Sequence, residues 1–223
     1  RNWEYWEQLM TSTLFVEEIK GRTTGTNANK VIVPSGQTLE VPTVTGNPSF
    51  TGGLKVNTVQ DTTGTTAMTI NTNGIVTKSA HPAFQAYYAN NSYVWSDIAD
   101  GGYHLQTLNQ TRFNIGNHYN TTNHRFIAPV AGTYYFYGQY YHNYTSNYAR
   151  AAAAIFVNGS QMSETWTPCW ETTGSAHTAI TLSLAVNDYV QLYTAFYDSN
   201  GTSNTYNVYG GALNTYLIGH LIG

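Results

Sequence analysis

From residue 81 to the end, the chain repeats one pattern: a short run of β-branched, aromatic or small residues, then a cluster of Asn, Gly, Asp or Ser. Ile180, Leu182, Leu184 and Val186 alternate with Thr, Ser and Ala. That period of two buries one face of a strand and exposes the other. YVQLYTAFYD alternates in the same way after an Asn187-Asp188 turn, and GTYYFYGQYYHN is a long aromatic run with no helical period. AAAAIFVNGS opens with good helix formers, but Ile155, Phe156 and Val157 lead straight into Asn158-Gly159, a hairpin-turn pair, so the run is predicted to be a strand. Many short strands with regular turns point to an all-β sandwich or jelly roll.

Composition narrows the function. Charged residues make up 9% of the 223, against about 25% in an average protein. Thr, Asn, Ser, Gly and 19 tyrosines take their place. With a net charge of -3 and no Lys/Arg cluster, a nucleic-acid groove is excluded. No run approaches the ~18 apolar residues of a membrane span, so no membrane insertion is expected. The opening RNWEYWEQLM has no apolar core after its positive charge and does not read as a signal peptide; Arg1 implies residues upstream. The lone Cys169 excludes an internal disulfide framework and reads as a small buried residue. So little charge suits a rigid, particle-bound protein better than a freely diffusing one.

Three regions follow. Residues 1–12 place Trp3, Trp6 and Leu9 on one stripe of a short helix, too short to be stable alone. The stripe reads either as packing against its own protein or trimer mates, or as an anchor peptide that joins the chain to a carrier. Residues 13–80 hold two similar units. Leu14, Val16 and Ile19 correspond to Leu54, Val56 and Val59, and Thr23-Thr24-Gly25 corresponds to Thr62-Thr63-Gly64. Neither unit has the apolar residues for a core. Three chains wound together would close their edges, which predicts a trimeric β-stalk. Residues 41–53, with two prolines and three glycines, read as a joint between the units. Residues 81–223 form the only region able to bury a sizeable core.

PAFQAYYA at 82–89 and FNIGNHYNTTNHRFIAPVAGTYYFYGQY at 113–140 resemble the opening strands of the complement-one-q/tumour-necrosis-factor-like domain. Tyr119, Asn120, Phe126, Ala128, Pro129, Gly132, Tyr134 and Phe136 match that family's pattern, while Gly116-Asn117 reverses its usual Asn-Gly pair. IFVNGS, TLSLAVNDYVQLY and the terminal TYLIGHLIG extend the match. The resemblance implies a ten-stranded jelly roll that assembles as a homotrimer around an aromatic-rich axis, and no enzyme. Residues 54–80 resemble stalk segments upstream of such heads in tailed-phage structural proteins.

The sequence offers little catalytic chemistry. Its seven histidines are dispersed, with no metal-ligand spacing, and no nucleophile elbow, phosphate loop or His–Cys motif is present. No cofactor or metal is expected. Asp97 and Asp100 are the one close carboxylate pair of the head, in a turn-like stretch that reads as a solvated loop or a cation site. Six Asn-x-Ser/Thr sequons are expected by chance in so Asn- and Thr-rich a chain. Alternation of strand direction, counted back from the closing strand, puts the loops 142–149, 170–177 and 198–207 at the tip. Tyr144, Tyr148, Trp170 and Tyr206 on them are the candidate ligand-binding residues, the other reading being that these aromatics pack between subunits at the trimer tip. The expectation is a virion-surface fibre with a homotrimeric head that contacts a host glycan or protein. The alternative is a secreted recognition or signalling protein with the same head.

Overall fold

The computed structural model describes residues 56–89, 102–143, 149–169, 173–198 and 207–223. The chain divides into two compact units, Arg1–Leu54 and Lys55–Gly223, and every described residue belongs to the second. The predicted helix with Trp3, Trp6 and Leu9 lies outside the described residues, as does the first stalk unit. Among the described residues all regular structure is strand.

The segment of the second repeat unit forms a three-stranded antiparallel sheet from β1 (Thr58–Gln60), β2 (Thr66–Ile70) and β3 (Val76–Thr77). Its two turns share one device. Asp61 Oδ1 accepts from the backbone N–H of Thr63 and Thr65, at 2.8 and 2.9 Å. Asn71 Oδ1 accepts from the N–H of Asn73 and Ile75, both at 2.9 Å. In each turn a glycine, Gly64 or Gly74, takes positive φ. Val59, Ile75 and Val76 are exposed, so this sheet has no core of its own within one chain.

The remaining strands build two stacked sheets. The first runs β11 (Ser160–Cys169), β10 (Ala149–Val157), β13 (Tyr189–Asp198), β8 (Arg125–Ile127), β7 (Tyr119–Asn120), with β5 (Tyr103–Leu105) added on β13. The second runs β12 (Thr173–Leu184), β9 (Gly132–Asn143), β15 (Tyr216–Leu221), β4 (Ala83–Tyr87), β6 (Gln110–Ile115), with β14 (Asn207–Tyr209) added on β9. Ten strands make the two ladders, as the predicted jelly roll requires, and β5 and β14 are short additions. Asn158 and Gly159 both take positive φ, as a two-residue hairpin turn demands, so the alanine run is a strand despite its helix propensity. Gly116 and Asn117 also both take positive φ, which is why the reversed order of that pair is tolerated.

Five of the eight residues that match the family pattern are core residues, whereas Asn120 is exposed and Pro129 and Gly132 are half-buried. Tyr119, Phe126, Ala128, Tyr134 and Phe136 are buried. Phe84 stacks on Tyr119 and on Phe126, each with centroids at 5.0 Å, and Phe126 meets Tyr134 and Phe136 at 5.6 and 5.7 Å. Each such ring contributes about 1.5–3 kcal/mol through burial alone. Gly219 of β15 is required by this cluster. A methyl group there would lie 2.6 Å from the rings of both Phe84 and Phe136.

Candidate functional site

Strand register fixes which ends of the sandwich meet. Asn143 pairs with Thr173 and with Asn207, and Ala149 pairs with Cys169 and with Asp198. The ends that flank 144–148, 170–172 and 199–206 therefore gather at one end of the domain. The opposite end holds two tight turns tied together. Asn158 Nδ2 donates to Asp188 Oδ1 at 2.8 Å, and the Tyr189 N–H donates to Asn158 Oδ1 at 3.0 Å. That end adjoins the hairpin side, where His81 Nε2 lies 2.7 Å from the Leu221 carbonyl. The strands run further than expected: His142 and Asn143 belong to β9, and His177 lies within β12, not in a loop. The candidate residues Tyr144, Tyr148, Trp170 and Tyr206 lie outside the described residues, as do Asp97 and Asp100.

The two outward sheet faces differ in chemistry. β12, β9, β15 and β4 contain no Asp, Glu, Lys or Arg. Tyr135, Tyr137 and Tyr141 alternate outward along β9, beside Tyr216, Ile218 and His220 of β15. Tyr137 lies 5.9 Å from the Tyr216 ring and 6.1 Å from His177. The Tyr137 hydroxyl donates to Gln139 Oε1 at 3.0 Å. Burial, and Tyr216 beside it, raise the Tyr137 hydroxyl pKa, so it remains a donor. Exposed Phe113 and Ile115 extend this face across β6. A flat, aromatic face without charge has the composition of the centre of a protein–protein interface.

The outward face of the other sheet mixes charge with rings. The Arg150 guanidinium lies over Trp166 at 4.5 Å and over Tyr197 at 4.7 Å. Arg125 lies over Tyr189 at 4.8 Å. Tyr103 reaches from β5 across the sheet, touching Phe156 at 5.2 Å and donating to the Glu164 carboxylate of β11. Burial and Glu164 push its hydroxyl up to about 12. Ala152, Ala154 and Ala195 point to this face yet are fully buried, because larger side chains lie across them. Sequence reasoning found none of this face, since its members come from strands far apart in the chain.

No catalytic constellation emerges among the described residues. Cys169 Sγ and His142 Nε2 do meet, at 3.6 Å, a pairing that the sequence did not reveal. Burial pushes the thiol up to about 11 and the imidazole down to about 4. Both groups are therefore neutral near pH 7, the opposite of an activated thiolate–imidazolium pair. A groove of about 330 Å³ where hairpin and head meet, lined by Lys78, His81, His118, Pro129 and Leu221 among others, has no carboxylate, hydroxyl or thiol side chain in its lining. Among the described residues no group of three His, Cys, Asp or Glu could hold a metal ion, and no helix is long and apolar enough to cross a membrane. The described sequon asparagines serve turns and strand ends. Asn109 accepts from the Ala89 N–H, and Asn120 from those of Thr122 and Asn123, while Asn158 joins the basal turns.

The C1q domain family model matches residues 86–214, more than half of the chain. The chain belongs to the C1q domain family. Such domains are generally non-catalytic recognition modules and typically extracellular. No curated protein matches the chain. Solved structures similar to it include the globular domain of zebrafish complement 1qA (14% identity, 64% of this chain and 98% of that one, TM-score 0.43). Eiger TNF from S. frugiperda (9%, 65% and 94%, TM-score 0.48) and murine APRIL (12%, 64% and 99%, TM-score 0.47) are also similar.

Proposed function

We propose that this C1q-type domain is the head of a homotrimeric structural fibre exposed on a virion, and that it contacts a host surface glycan or protein. The observation that carries the trimer is the charge-free tyrosine face of β12, β9, β15 and β4. Left in water, such a face is an association surface; buried against two copies of itself, it forms an aromatic axis. The hairpin sheet supports the same assembly, because Val59, Ile75 and Val76 lack cover within one chain. Homologous C1q and TNF domains are homotrimers. The fibre reading adds the repeated 13–80 stalk and the Trp3, Trp6 and Leu9 stripe as the anchor to other virion proteins. The contact reading places Tyr144, Tyr148, Trp170 and Tyr206 on the three loops whose flanking strand ends converge.

A secreted recognition or signalling protein is the second reading, favoured by the family match itself. Sedimentation of the full chain at micromolar concentration tests what both share, and a trimer is expected. A folded monomer would overturn it. Mass spectrometry of purified virions against a secretome separates the two carriers.

A further inference from the structure

We infer that Arg150, stacked between Trp166 and Tyr197 on the outward face of β11, β10 and β13, is the recognition group of a binding site for the carboxylate of an acidic sugar. Residues 81–223 contain three cations, Arg112, Arg125 and Arg150, and no lysine. Arg150 is exposed, and its register places it between the two rings. It pairs with Tyr197 on β13, and Ala152, two residues on, pairs with Trp166 on β11. Strands lie about 4.8 Å apart, so rings rising from the strands on either side of β10 stand about two spacings apart. The 4.5 and 4.7 Å separations fit a guanidinium between them.

Stacking occupies the two apolar faces of the guanidinium and turns its N–H edge to solvent. Among the described residues no carboxylate engages that edge; Glu164 is held by Tyr103 instead. The rings also fix the long side chain, so little freedom is lost when an anion docks. A planar fork of N–H donors held in this way matches the two oxygens of a carboxylate.

The neighbouring groups select the kind of carboxylate. Glu164 sits two residues from Trp166 on the same face of β11, about 7 Å along the strand. Its carboxylate, with the Tyr103 hydroxyl, can take the hydroxyls of a sugar whose acid group is on Arg150. The indole and phenol edges offer apolar surface to the ring C–H groups between. An acidic peptide would bring further negative charge against Glu164. The site therefore favours a monosaccharide with one carboxylate and several hydroxyls over a polyanionic chain. It lies on one protomer and does not depend on the trimer or fibre reading.

The test is ligand-observed NMR on the full chain with N-acetylneuraminic acid, glucuronic acid, glucose and a glutamate-rich peptide. Saturable binding of an acidic sugar is expected, without comparable binding of glucose. Arg150→Lys keeps the charge but removes the fork, and should weaken acidic-sugar binding by about tenfold or more. Its melting temperature and sedimentation should stay unchanged, so failure here is distinct from failure of the trimer. Equal response to glucose, no binding of either acid, preference for the peptide, or unchanged affinity in Arg150→Lys would each overturn the site.

Discussion

His142 is fully buried, with Tyr140 and Phe196 rings at 5.7 and 5.8 Å and Cys169 beside its Nε2. None of these neighbours carries charge near neutrality, since burial raises the Tyr140 hydroxyl well above its usual range and the Cys169 thiol to about 11. Burial lowers the His142 pKa from 6.5 to about 4. The sign follows from proton uptake. Below about pH 6.5 the unfolded chain binds a proton at this residue that the folded chain refuses, so stability falls as pH falls. The loss should run from about pH 6.5 to 4 and reach about 3 kcal/mol. His118 is also depressed by burial and acts in the same direction, so a variant is needed to isolate the effect. His142→Phe should flatten the stability profile between pH 7 and 4.5 in urea titrations. A difference between wild type and variant that stays constant over that range would refute the assignment.

At the scale of strands and sheets, the tyrosine face makes the sharper prediction. Tyr137 projects from the middle of β9, opposite Ile218 on one side and Ala179 on the other. If three such faces meet, Tyr137→Arg places three like charges near one axis without disturbing the buried face of its own strand. The variant should sediment as a folded monomer, with its far-UV circular dichroism retained. A stable Tyr137→Arg trimer would mean that this face does not lie at the axis. Much of this level was legible from sequence. Period-two alternation marked β12 and β13, Asn158-Gly159 marked the hairpin, and the Phe126–Phe136 pattern marked the family because those residues are the aromatic core. Lateral neighbours were not legible. Arg150, Trp166 and Tyr197 meet through the register of three strands, whereas His142 and Cys169, 27 residues apart, meet across the core between the two sheets. The alanines of β10 carried a signal that propensity hides: small residues on an outward face make room for Tyr103 to lie across it.

The whole molecule poses a question of attachment. The hairpin sheet exposes Val59, Ile75 and Val76, whereas the head encloses its own core, so the proposed trimer would have two separable sources. Within the head, Tyr137 and its neighbours supply an association surface. In the proposed stalk, closure of the sheet edges would supply another. The opening segment needs a test of its own. Its Trp3, Trp6 and Leu9 recur at a helical spacing, and a helix of about a dozen residues gains its stability only from what it packs against. Two tryptophans on one stripe are large anchors for a hydrophobic socket, of the kind that dominates interface energies. If that socket belongs to a carrier particle, deleting residues 1–12 should leave a trimer of unchanged melting temperature that no longer co-sediments with the particle. If the stripe instead packs within the fibre, the deletion should lower the melting temperature and leave attachment intact. Trp3→Ala with Trp6→Ala should reproduce the first outcome while keeping the chain length, so that loss of the ring contacts, not of the segment, accounts for release.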